Sequence, residues 1–166
     1  MQKNKNNYKI RQNSRLRYDN IDSGERAMRT FYIFNINKSF YNLMKNNPYH
    51  LFRTMEDIHS FDCNDADIAY DLFNQIASPF DKSKINNKIF NESKDNDFYS
   101  KFHNVHRIQN KYIPEDSMLV VNKAFLLLES NILKPTFLNE LKEYKNLFIC
   151  DFKNKDYFWL NELVCL

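Results

Sequence analysis

Two histidines three positions apart, His103-x-x-His106, are the most metal-like feature of this 166-residue chain. On a helix both rings would reach one face, and a zinc site would still need two further ligands. His59, Asp62 and Cys63 lie together in sequence, but their spacing does not fix them against that pair. Two amphipathic histidines at a helix boundary are the plainer reading. His59 and Cys63 also have the residue types of a Cys-His nucleophile, yet no glycine-supported turn presents the sulfur and no oxyanion donor is evident. Gly occurs once and Pro four times, which removes the glycine-rich loops that cradle phosphates. Asp65, Asp67 and Asp71 fall in the first turns of an expected helix, where acids complement the macrodipole without doing chemistry. The chain therefore reads as non-catalytic, with no metal and no cofactor.

The remaining chemistry is charge. Residues 1–28 carry seven Lys/Arg against three Asp/Glu, whereas the remainder is close to neutral, so the formal net charge of +3 resides in the N-terminal segment. That segment interleaves Lys3, Lys5, Lys9, Arg11, Arg15 and Arg17 with Tyr8 and Tyr18, a pattern that suits phosphate backbones. A nucleic-acid-binding accessory protein acting through this arm is the alternative function. The near-neutral body argues against direct nucleic-acid binding, because a surface that neutralises several phosphates shows a basic stripe.

The order of the elements follows from patterning. Residues 1–27 are polar, basic and without sustained apolar period, and are expected to be a disordered extension preceding a single domain over 28–166. Met28 directly precedes the first strand-like run and is an alternative start. Phe31-Tyr32-Ile33-Phe34 reads as a buried strand. Ser39–Lys45 reads as a helix ended by Asn46-Asn47-Pro48, and a second helix capped by Asn64 or Asp65 runs through Ala77 with Ile68, Leu72 and Ile76 on one face. Residues 81–96 read as a loop, and Asp97–Asn110 as a third helix through Phe98, Phe102 and Val105. Met118–Val121 and Ala124–Leu128 form a hairpin, Pro135 opens a fourth helix through Tyr144, and Leu147–Phe152 with Tyr157–Leu160 closes the chain as another hairpin. The expected fold is α+β: a mostly antiparallel sheet of about five strands with about four helices, ordered β-α-α-α-ββ-α-ββ.

Aromatics make up 16% of the chain, so rings should dominate the core, Trp159 among them. Three cysteines at wide spacing, without a CxxC pair, fit a reducing cytosol, and no apolar run approaches a membrane span.

Both ends of the body resemble one family. Met28-Arg29-Thr30-Phe31-Tyr32-Ile33-Phe34, followed by Phe40, resembles the opening strand and first helix of the sporulation inhibitors of replication, the SirA family of Gram-positive endospore formers. Cys150-Asp151-Phe152, a short turn and Tyr157-Phe158-Trp159-Leu160-Asn161 resemble its closing hairpin, and Ile76-Ala77-Ser78-Pro79 resembles the end of its second helix. The resemblance spans about residues 28–161; 81–112 match only in length and rough pattern. It implies a cytoplasmic, non-catalytic inhibitor that binds the N-terminal domain of the replication initiator DnaA and blocks its assembly at the origin during sporulation. It also implies a binding face on the first two helices: Phe40 matches the exposed aromatic, Met44 replaces a Tyr, and Leu72 and Gln75 stand where the family presents contacts on the second helix. On residue pattern alone, Phe40, Leu43 and Met44, and Leu72 with Ile68 and Ile76, are helix stripes that would more often be buried.

Overall fold

The computed structural model describes residues 27–163, so the extension, apart from Ala27, and Cys165 lie outside the described residues. In chain order the elements are β1 (Arg29–Asn35), α1 (Lys38–Met44), α2 (Pro48–His59), a single 3-10 turn (Cys63–Asp65), α3 (Ala66–Ile76) and α4 (Lys82–Ser93). They continue with β2 (Tyr99–Phe102), β3 (Val105–Asn110), β4 (Glu115–Val121), β5 (Leu126–Ser130), α5 (Thr136–Glu140), β6 (Leu147–Asp151), β7 (Asp156–Trp159) and α6 (Leu160–Leu163). The class is the α+β one expected. The described residues hold seven strands in one antiparallel sheet, ordered β2-β3-β4-β5-β1-β6-β7, where about five were expected. They also hold six helices where four were expected.

Helices cover both faces of that sheet. Strand side chains alternate, so Phe31 and Ile33 of β1 and Leu147 and Ile149 of β6 enter one core with Ile85 and Ile89 of α4 and Phe137, Leu138 and Leu141 around α5. Their neighbours Phe34, Phe148, Cys150 and Trp159 point the other way and meet Leu51, Phe52 and Met55 of α2 and Ile76 of α3. The second layer, α1 to α3, lies over β1, β6 and β7. On the same side, Met118, Val120 and Leu127 of β4 and β5 are only half-buried.

Four segments depart from the sequence expectation. The helix expected over Asp97–Asn110 is the β2–β3 hairpin, because His106 and Ile108 alternate inward with a period of two while Arg107 and Gln109 face out. His103 sits at its turn with φ of 52°, and Asn104 Nδ2 donates to Val121 O at 3.0 Å, which fixes the turn against β4. The segment expected to be a loop over 81–96 contains α4, whose Asp81 caps it by accepting from Lys84 N at 3.0 Å and which buries only Ile85, Ile89 and Ser93. Pro48 does end the first helix, but it also begins α2, since a first-turn proline forfeits no helical hydrogen bond. The fourth helix is shorter than expected, with Pro135 as its cap residue. Glu115 places it, accepting from Thr136 N at 2.9 Å and Thr136 Oγ1 at 2.7 Å.

The closing hairpin that resembled a family signature has a structural job. Asp151 is buried and accepts from Arg29 Nε at 2.8 Å, from Asn154 N at 2.9 Å and from Asn154 Nδ2 at 2.7 Å. It thereby ties the β6–β7 turn to the start of β1.

One buried acid gives a test of the fold in solution. Glu140 is buried beneath α4 and accepts from Ser93 Oγ, while its Oε2 has no hydrogen-bond partner among the described residues. Burial, opposed by the Ser93 bond, raises its pKa from the usual 4.5 to about 7. Because the folded state holds this proton more tightly than the unfolded chain, the group costs nothing below pH 4.5. It becomes destabilising as pH rises toward 7. Glu140→Gln should therefore stabilise the protein by about 1 to 2 kcal/mol at pH 8, and the gain should vanish near pH 4.5 in chemical denaturation.

Candidate functional site

Asn37 joins the two helices expected to carry the site. Its side-chain oxygen accepts from Phe40 N at 2.8 Å, capping α1, while its Nδ2 donates to Gln75 O at 2.7 Å and its backbone N donates to Ile76 O at 2.9 Å. Ile36 also bridges to Ala77, and Ser78 N donates to Asn35 O at 2.7 Å. The start of α1 is thus stitched to the end of α3. Phe40 and Gln75 stand on adjoining helix termini, with Met44 one turn further along α1 and Leu72 one turn back along α3.

Burial separates these residues. Phe40 and Met44 are half-buried and pack against the core of the α1–α3 layer, as does Tyr41, whose ring meets Trp159 edge-on with centroids 4.8 Å apart. No residue of α1 is fully buried, and Leu43 is 72% exposed. On α3 the inward stripe is Ala69, Phe73 and Ile76, with Phe73 edge-on to Phe34 at 6.0 Å. Ile68 and Leu72 face out, at 54% and 38% exposure, and Gln75 is exposed as well. The expectation that Leu72 shares a buried face with Ile76 is corrected by the rotation of the helix. Two apolar stripes compete on α3, and the sheet takes the one carrying the aromatic ring.

Removing the clamp should show its weight. Asn37→Ala loses a helix cap and a cross-helix bond, and should destabilise the protein by about 1 to 2 kcal/mol in denaturant unfolding. A fully stable variant would mean that α1 is held by packing alone.

The groups with possible chemistry are used structurally. His106 is fully buried, with Nδ1 2.7 Å from Tyr99 Oη and Nε2 2.8 Å from Asn86 Oδ1, and burial lowers its pKa to about 4. His103 is exposed at the hairpin turn, so the two do not form a ligand pair. Among the described residues no three His, Cys, Asp or Glu side chains group as metal ligands. His59 stacks on Phe152 at 4.5 Å, and burial lowers its pKa. Burial pushes the Cys150 thiol well up, away from the thiolate a nucleophile requires.

Fold and face together define the class: a small three-layer α+β domain carrying unpartnered apolar side chains on two helices of one layer. The model of the sporulation inhibitor of replication protein SirA family matches residues 29–164, and the chain belongs to that family. Comparison with curated proteins finds no match. No helix among the described residues is long and apolar enough to cross a membrane.

Proposed function

We propose that this protein acts in the cytoplasm as a non-catalytic inhibitor of replication initiation during sporulation, by binding the N-terminal domain of DnaA and blocking its assembly at the origin. The observation that carries the reading is the outward apolar stripe of α3, Ile68 and Leu72, beside the clamped start of α1 in a member of a replication-inhibitor family. Water gains nothing from exposed leucine and isoleucine side chains, and a partner that covers them recovers about 25 cal/mol for each Å2 removed from solvent. Phe40, Met44, Leu72 and Gln75 are the proposed contacts. Occlusion of the initiator's self-association surface requires no bond chemistry from the inhibitor.

The test is a mixture of the full chain with the isolated N-terminal domain of the host DnaA on a sizing column. Co-elution as a stoichiometric complex at micromolar concentration is expected. Separate elution would overturn the reading.

A further inference from the structure

A second feature of the same helix layer is a groove of about 270 Å3 between the end of α2, the start of α3 and the sheet. Its walls are aromatic and aliphatic: Tyr32 and Phe34 of β1, Ile58 of α2, Tyr70 and Phe73 of α3, and Phe125 before β5. Tyr70 at its rim is 65% exposed. The stretch that supplies its α2 and α3 walls carries charge of one sign, with Lys123 the cation beside the Ala124–Phe125 wall. Residues 54–81 hold seven acids and no Lys or Arg, and Asp57, Asp62, Asp65, Asp67 and Asp71 are all exposed. Among the described residues none of these five takes part in an ion pair. An apolar trough rimmed by free carboxylates is complementary to a basic segment interleaved with apolar side chains.

This chain contains such a segment. Residues 1–26 carry seven Lys/Arg against three Asp/Glu, with Tyr8, Ile10, Leu16, Tyr18 and Ile21 spaced among them. The segment joins the body directly before β1, the strand whose Tyr32 and Phe34 line the groove. Twenty-six residues can span up to roughly 85 Å, several times the roughly 14 Å radius of gyration of a body this size. Reach is therefore no obstacle. A tether of this length also holds its basic groups at about millimolar effective concentration, so a weak contact suffices.

We propose that residues 1–26 dock in the α2–α3 groove, their cations on the acidic rim and their aromatic and aliphatic side chains in the trough. Since the groove shares α3 with the proposed initiator-binding face, the docked segment competes with that partner. The competition, though not the docking, rests on the initiator-binding reading.

Limited trypsin digestion of the full chain tests the docking with no initiator present, so its outcome is independent of that reading. Cleavage at the Lys and Arg residues of 1–26 is followed by mass spectrometry and normalised to a synthetic peptide of the same sequence. At low ionic strength cleavage should be at least about fivefold slower than in the peptide, and in about 0.5 M salt the protection should disappear. Asp65→Asn/Asp67→Asn/Asp71→Asn should abolish the low-salt protection while lowering the melting temperature by only a few degrees, because these side chains are exposed and unpaired and only the favourable placement of acids at the start of α3 is lost. Tyr70→Ala should lower the protection as well. Cleavage as fast as in the free peptide at every salt concentration would overturn the proposal and leave the acidic rim to another basic partner. Undiminished protection in either variant would overturn it too, by seating the segment elsewhere.

Discussion

Trp159→Ala should cost about 3 to 5 kcal/mol of stability and lower the melting temperature by about 10 °C or more. Trp159 is the largest fully buried side chain, on the last strand of the sheet, with the Phe148 ring 4.7 Å away and the Tyr41 ring 4.8 Å away. The truncation opens a cavity that cannot collapse, because α1 rests on it from above and β6 fixes it from the side. Calorimetry or thermal circular dichroism measures the loss. A change below about 1 kcal/mol would mean that the layer repacks around the void and that Tyr41 does not depend on the indole. A larger consequence is also expected for α1. Since Tyr41 is its main aromatic contact with the sheet, Phe40 and Met44 should lose their fixed position before the rest of the molecule unfolds.

Leu72→Asp is expected to have the largest effect on partner binding. Leu72 is 38% exposed and faces away from the sheet, so the substitution leaves the melting temperature within about 2 °C of wild type. In the complex it would bury an unpaired carboxylate, and initiator binding should weaken by about 2 kcal/mol or more, roughly thirtyfold. Phe40→Ala supplies the contrast. Its ring is half-buried against the α1–α3 core, so it should weaken binding at least about tenfold and also cost some stability. Titration calorimetry with the initiator domain, paired with melting curves, separates the two effects. Unchanged binding by Leu72→Asp would remove α3 from the interface.

Much of the fold was legible because its strands announce themselves. Phe31 to Phe34, the hairpin through 118–128 and the closing hairpin are short apolar runs of β-branched, aromatic and leucine side chains bounded by polar turns. The misses have physical causes. In Phe98, Phe102 and Val105 a helical spacing coincides with a strand pattern, and only the inward alternation of His106 and Ile108 resolves it. A histidine at positive φ gave no glycine signal for the turn. Helix α4 buries so few side chains that its amphipathic stripe is faint, and its polar residues read as a loop. At the site the residues were legible but their orientation was not. Ile68-Leu72-Ile76 and Ala69-Phe73-Ile76 are both helical stripes, and choosing between them requires knowing that Phe34 waits beneath α3. The cross-helix half of the clamp at Asn37 gave no sequence signal, since Gln75 O and Ile76 O are backbone groups far along the chain, whereas its cap on Phe40 N is local.

The place of β1 in the sheet bears on when the molecule can exist. This first strand is flanked by β5 and β6, the latter beginning more than a hundred residues downstream at Leu147. Contacts so distant in sequence make for slow folding, and the sheet cannot close during synthesis until β6 has left the ribosome. Nascent or prematurely terminated chains would lack the floor beneath α1 and α3. The supply of competent molecules is then set by completed translation, with a lag of folding after each chain is finished.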